Sequence, residues 1–323
     1  MLLRFHDLTI ELCSADAPVT AQWAELFTGW PAAPAAAYPA VCLELAWRDS
    51  LPPLPPASPV FTDQDLHKAV PAILTVYSGG DDTVHLHFHD AGLVTVPLKP
   101  AREGEKQSAH GVVLPASRQN GRFEDVTFTS LAPLLRRHGY FLLHAFAAVK
   151  DGQALLLVGE SGSGKTTTGL RLLLDGWQLL SNDVVLLQAR PDGIYALATP
   201  DMVTIRPFTL QLLPELRRFL AYPPADQPVV LQAATLTDGR WASPAPVKTI
   251  YFPQITGDAH STAAPLSRAV CLARLMEQSI DQWDTAVFDP HFSLLQRLSQ
   301  QAVPYTLRLG TDVDQFSRLL RGG

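Results

Sequence analysis

Positive charge is scarce in this chain: 25 Lys and Arg stand against 31 Asp and Glu, a formal net charge of −6. A protein that grips nucleic acid by its phosphates needs a cationic surplus, so general nucleic-acid binding is not expected. Cysteine is scarce too. Cys13, Cys42 and Cys271 are far apart and odd in number, with no CxxC or Cys/His spacing. That pattern excludes a disulfide framework and predicts three reduced thiols in a reducing compartment. No apolar run approaches the roughly 20 residues that span a bilayer. The opening Met1-Leu2-Leu3-Arg4-Phe5-His6-Asp7 meets an acid too early for a secretory signal. The expected location is the cytoplasm, with no membrane partner. What remains, 47% hydrophobic and only 17% charged residues, is too apolar for disorder. A length of 323 residues suits two domains of ordinary size.

The texture changes along the chain. Leu2–Cys13 and Val41–Trp47 read as strands, and Val19–Thr28 as a short helix. Leu51-Pro52-Pro53-Leu54-Pro55-Pro56 lacks backbone donors at its four prolines and reads as an extended connector. Ala69–Tyr77, Thr83–His89 and Leu93–Leu98, with glycine and aspartate between them, form the pattern of an antiparallel meander. Ala101–Asn120 is polar and aperiodic, which makes it the expected domain boundary. The expectation is therefore a smaller β-rich N-terminal domain, residues 1–120, for acceptor recognition or self-association into a homo-oligomer. An α/β domain with a mixed sheet, residues 121–323, follows it. Leu131–His138 reads as a helix stopped at Gly139.

Gly159-Glu160-Ser161-Gly162-Ser163-Gly164-Lys165-Thr166 fits the phosphate-loop pattern GxxxxGK[ST] without exception. Glycines let the backbone curl so that its N–H groups converge on phosphate oxygens. The lysine brings a point charge to the outer phosphates, and the threonine hydroxyl can ligate Mg²⁺. The flanks agree. Ala154–Val158 is a continuous apolar run, as in a buried strand, and Thr166–Leu174 has helical character up to Asp175-Gly176. The loop thus falls at a helix N-terminus. Gly159–Thr166 and the adjoining Thr167 make up the expected nucleotide-binding set, for ATP with Mg²⁺.

Two neighbours refine this. Tyr140–Val149 is a further apolar strand, joined to Ala154–Val158 by a hairpin centred on Asp151-Gly152. Pairing Lys150 with Gln153 brings His144 opposite Gly159, at the mouth of the loop. An imidazole there can orient a nucleophile or carry a proton, or else be a core histidine bonded to a carbonyl. Gln178–Leu187 reads as a strand that carries Ser181-Asn182-Asp183 amid leucine and valine. A charge in such a strand needs a reason. Asp183, 18 residues after Lys165, is read as the Mg²⁺-linked carboxylate beside Thr166.

Together, His144 on a strand, a short hairpin, GxSGxGK[ST], a helix and an acidic position after it resemble the HPr kinase/phosphorylase family. The likeness is to its stand-alone relatives in bacteria, some of which accompany peptide-modification genes. It extends over about residues 122–323 and is carried by His144–Leu187, with weaker likeness at Pro244–Leu266 and Tyr305–Gly310. The resemblance implies a kinase domain of HPr-kinase type that moves the γ-phosphate of ATP to a hydroxyl, usually of serine, on a peptide or protein. It implies that His144, Lys165, Asn182 and Asp183 form the catalytic group. Two departures matter. The family commonly has Asp-Asp where this chain has Asn182-Asp183, and Asn182 cannot take up a proton. The glycine-rich stretch that follows the acidic pair in HPr kinases is missing, which speaks against HPr itself as acceptor. A small-molecule kinase and a nucleotide-binding switch without efficient transfer are the alternatives.

Other features are read as structural. His85, His87 and His89 alternate onto one strand face but spread over about 13 Å, too far to ligate one ion. Trp177 reads as packing, and Asp289-Pro290-His291 as a turn.

Overall fold

The computed structural model describes residues 1–54, 56–63, 73–80, 82–100, 102, 104–119, 121–220, 227–279, 281 and 283–320. The proline-rich stretch Tyr222–Pro228, which the sequence predicts to be a loop, falls mainly outside them. Two compact units emerge: Met1–Gly139 with Asp281–Phe288, and Tyr140–Ile280 with Asp289–Gly323. Both are mixed α/β structures.

Strands dominate the first unit: β1 (Leu2–Phe5), β2 (Leu8–Cys13), β3 (Val41–Trp47), β4 (Pro59–Thr62), β5 (Leu74–Gly80), β6 (Thr83–Phe88), β7 (Gly92–Pro97) and β8 (Gln107–Val113). They form one sheet in the order β1-β2-β3-β8-β7-β6-β5-β4, parallel at β2–β3 and β3–β8 and antiparallel elsewhere. The β5–β7 meander is present, although residues 69–72 of the expected first strand lie outside the described residues. Leu2–Cys13 is a hairpin rather than one strand. His6 turns the chain at φ 58°, and across the turn the buried positions shift from Leu3 and Phe5 to Ile10 and Leu12. The polar stretch Ala101–Asn120 contains β8, a central strand between β3 and β7. Backbone pairing on both edges holds it, so it needs few apolar side chains to mark it.

Two helices belong to this unit: α1 (Ala17–Leu26) and α2 (Arg122–Arg137). α2 begins nine residues before the helix read from sequence and packs against β3, β7 and β8. It therefore sits with the first unit. At its end, Arg137 grips buried Asp284 with Nη1 and Nη2 at 3.0 and 2.9 Å, while Arg136 Nε reaches the same carboxylate at 3.0 Å. A buried carboxylate needs such pairing, and it fastens Asp281–Phe288 to this unit. His85 and His89 face threonine hydroxyls at 2.9 and 2.8 Å, as an ordinary polar sheet face would.

The second unit opens with β9 (Tyr140–Lys150), β10 (Gln153–Val158) and α3 (Lys165–Leu174), in the order read from sequence. Then follow β11 (Gln178–Ser181), β12 (Val184–Arg190), β13 (Gly193–Leu197), β14 (Met202–Ile205), α4 (Pro207–Leu212), β15 (Val229–Gln232), β16 (Ala245–Ile255), β17 (Thr262–Pro265), α5 (Arg268–Glu277), α6 (Phe288–Gln301) and β18 (Val303–Leu309). The main sheet runs β10-β9-β12-β13-β16-β18-β17, and β10 also pairs with β16, so the pairing closes on itself. The long strands β9 and β16 make this possible by changing partners along their length. Asp289-Pro290-His291 is the first turn of α6 rather than a loop turn, with buried His291 bonded to Ser279 Oγ at 2.7 Å.

Helix α3 lies tightly on β9. A Cβ added to Gly169 would sit 2.4 Å from the Phe146 ring, so only glycine permits this approach. Phe146, Leu155, Leu157, Leu170, Leu172, Leu307 and Leu309 share the core beneath it, and Trp177 packs against that core. This packing fixes where the start of α3 points.

Candidate active site

Strand β10 delivers the chain to Gly159, and α3 takes it up at Lys165. Between them the backbone reverses through Gly162 at φ 85° and Gly164 at φ 102°. Gly164 is doubly constrained, because a Cβ there would also meet Leu309 Cδ1 at 2.4 Å. Helical bonding begins with the Thr168 N–H to Gly164 carbonyl bond of 3.0 Å. The N–H groups of the first turn have no acceptor within a helix and concentrate its positive end. Glu160, Ser161 and Gly162 are exposed at the crest, while the Ser163 hydroxyl is buried without a partner.

Lys165 is folded onto its own loop. It is only 5% exposed, and its ammonium donates to Gly159 O at 2.5 Å, Glu160 O at 3.0 Å and His144 Nε2 at 2.9 Å. An ammonium has three donors, and all three are engaged. Burial lowers the pKa of Lys165, with Asp183 and Glu160 opposing.

His144 reaches Lys165 from β9, where the hairpin register pairs Val158 with Ala145. Its other nitrogen, Nδ1, lies 3.4 Å from Asp183 Oδ1. With Nε2 accepting from the ammonium, the proton of a neutral ring sits on Nδ1, facing the carboxylate. Burial lowers the His144 pKa most; Asp183 raises it and Lys165 lowers it further. The lowered pKa favours the neutral ring.

Asp183 arrives by a break that the sequence did not reveal. The expected single strand Gln178–Leu187 is two strands, with Asn182 and Asp183 between β11 and β12. β9 pairs with β11 up to Ser181 and with β12 from Val184 onward. The break is held by Asp201, a buried carboxylate just before β14. Its Oδ2 accepts from Asn182 N at 2.5 Å, Asp183 N at 3.1 Å and Ser181 Oγ at 3.0 Å. Burial pushes the Asp201 pKa up to about 7 against the pull of those donors. The signal that singled out Asp183, a charge amid apolar residues, also applies to Asp201 in Ala198-Thr199-Pro200-Asp201-Met202-Val203. It was missed because no motif pointed there.

The break resolves an apparent conflict in the sequence, where neighbouring strand residues would face opposite ways. Asn182 is buried and its amide donates to Met202 O at 3.2 Å; Asp183 is half exposed beside His144. Lys165, His144, Asp183 and the loop carbonyls therefore come together, while Asn182 turns to β14. Thr166 is partly exposed on the first turn of α3. The Thr167 hydroxyl is engaged with Thr209 Oγ1 at 2.9 Å. Beside the loop opens a cavity of about 310 Å³ whose lining includes Gly159, Ser163, Phe252, Arg274 and Glu277.

The arrangement is suited to an anion: convergent N–H groups, an ammonium with exchangeable bonds, and carboxylate and hydroxyl oxygens suited to a hard divalent cation. No family model matches the chain, and no curated protein does. Among solved structures, the Hpr(Ser) kinase/phosphatase from Coxiella burnetii overlaps 56% of this chain and 99% of its own, with 12% identity and a TM-score of 0.26. An overlap that slight carries no argument for fold or activity. Among the described residues no helix is long and apolar enough to cross a membrane.

Proposed function

We propose that this chain is an ATP-dependent kinase of the HPr-kinase-like, phosphate-loop type, transferring the γ-phosphate to a hydroxyl, in the first instance serine, of a peptide or protein. The observation that carries the reading is the line Lys165–His144–Asp183 at the mouth of the glycine loop. A glycine-rich surface turn has no use for a buried lysine bonded to an imidazole that faces a carboxylate.

The residues fit ATP with Mg²⁺. The buried, unpartnered Ser163 hydroxyl and the first-turn N–H groups are donors awaiting an acceptor. Thr166 and Asp183 would hold the metal ion, which supplies neutralisation of phosphate charge when bound. Lys165 has no spare donor, so reaching a phosphate requires it to give up one of its present bonds. Releasing His144 leaves Nε2 free to take the acceptor's hydroxyl proton, while Asp183 holds the Nδ1 proton and steadies the imidazolium that forms. Asn182, bonded to Met202 O, serves the turn rather than the proton. The β-rich residues 1–120 are assigned acceptor recognition or self-association, and the cytoplasm is the proposed location.

A second reading, a nucleotide switch with slow hydrolysis, is favoured by one observation: all three Lys165 donors are satisfied within the chain. Incubating the full chain with γ-labelled ATP, Mg²⁺ and a serine-peptide array separates the two. Label retained on peptide supports the kinase. Free phosphate alone, or no turnover, contradicts it.

A further inference from the structure

Far from the glycine loop in sequence, the first unit brings together three residues that look unrelated on the chain. Glu11 and Cys13 lie two apart on β2, and Cys42 is the register partner of Glu11 on β3. Their donor atoms all fall within 4.8 Å of one another, and Cys42 Sγ lies 3.9 Å from Cys13 Sγ. The neighbours of these residues show which face this is. Ile10, Leu12, Leu43 and Leu45 fill the core, while Thr9 and exposed Glu44 share the alternation of the cluster. The thiols are therefore on the face opposite those residues, with Cys13 partly exposed and Cys42 buried.

We propose that Glu11, Cys13 and Cys42 form a site for a thiophilic divalent cation, zinc by preference. Zinc binds thiolate at about 2.3 Å in tetrahedral geometry, which sets the two sulfurs about 3.8 Å apart. The observed 3.9 Å needs almost no adjustment. A disulfide, by contrast, would require the sulfurs to close to about 2.05 Å. Charge also balances. Two thiolates and a carboxylate carry three negative charges, Lys106 contributes one positive charge through its 3.1 Å bond to Glu11 Oε2, and a dication cancels the remainder. That bond leaves Glu11 Oε1 for the metal. Three protein ligands leave the fourth position to water or to a partner's donor. Two protons are displaced from the thiols on binding, one for each metal–sulfur bond formed. The inference does not depend on the kinase reading.

Cobalt(II) substitution on the full chain, reduced and freed of metal, tests it. The expected result is one equivalent of Co²⁺ with a thiolate-to-cobalt band and tetrahedral visible absorption, displaced by one equivalent of Zn²⁺. Cys13→Ser and Cys42→Ser should each weaken the thiolate band to about half or less and together abolish it, Cys271→Ser should keep it, and Glu11→Gln should weaken Co²⁺ binding at least about tenfold. A cation at the glycine loop would have only oxygen donors and give no such band. The proposal fails if the reduced chain shows no band, if the band survives in the Cys13→Ser/Cys42→Ser double variant, or if the pair only oxidises to a disulfide with a two-hydrogen loss of mass.

Discussion

Strand β10 ends in a glycine turn at both sides, and the two turns differ in everything but composition. At its start, Asp151 and Gly152 reverse the chain at φ 52° and 73°, and an added Cβ at Gly152 would touch nothing within 4 Å. At its finish, the Gly159–Gly164 turn is backed by Leu309, tied by Lys165 to two of its own carbonyls and faced by His144. The first is connective and answers only to its own backbone angles. The second is shaped by residues far away in sequence, as a loop built to receive something must be.

Replacing the distant support should do the most damage. Asp201→Ala strips the acceptor from two backbone N–H groups, that of Asn182 buried, and from the Ser181 hydroxyl, at about 1–3 kcal/mol for each buried donor left alone. A urea-midpoint loss of about 3 kcal/mol or more is expected, together with loss of turnover. Asp201→Asn keeps an accepting oxygen and should cost far less. If the two variants are equally mild, Asp201 does not hold the break.

Next comes Gly164→Ala, which combines a left-handed φ with a clash against Leu309. It should cost about 2–3 kcal/mol and weaken nucleotide binding. Gly152→Ala, strained but unobstructed, should cost about 1 kcal/mol and leave nucleotide affinity unchanged. Equal effects on binding would erase the distinction between the turns. Between these in size, Asp183→Asn should lower phosphoryl transfer more than tenfold and raise the Mg²⁺ concentration needed for half-maximal rate.

A pH slope tests the same buried carboxylate. Burial raises the Asp201 pKa from an ordinary 3.8 to about 7, so the folded chain keeps a proton that the unfolded chain has lost. Its contribution to stability therefore falls as pH rises from about 4 to about 7. His144 has the opposite sign, because its pKa is lowered from 6.5 and the unfolded chain protonates first as pH falls. Subtracting Asp201→Asn from the parent across that range isolates the first slope. A flat difference would show that the carboxylate is not buried as described.

How much of this was readable in the sequence follows from the range of each interaction. The hairpin register and the strand–loop–helix order were legible, since a turn and an apolar run fix them locally. That register placed His144 at the loop. The break at Asn182-Asp183 was not legible, because Asp201 supplies the reason from 18 residues farther on. Nor was β8, whose polar residues are held by two flanking strands, nor the meeting of Cys13 with Cys42. The self-bonded state of Lys165 was also hidden, since the motif describes the lysine with phosphate present.

The most direct measurement is a calorimetric titration of the full chain with ATP in the presence and absence of Mg²⁺, alongside Lys165→Ala. One equivalent of ATP should bind, more tightly with Mg²⁺, and Lys165→Ala should weaken it at least about a hundredfold with the fold intact by circular dichroism. A folded parent chain that takes up no ATP, or a Lys165→Ala chain that binds it equally well, would contradict the assignment of the glycine loop.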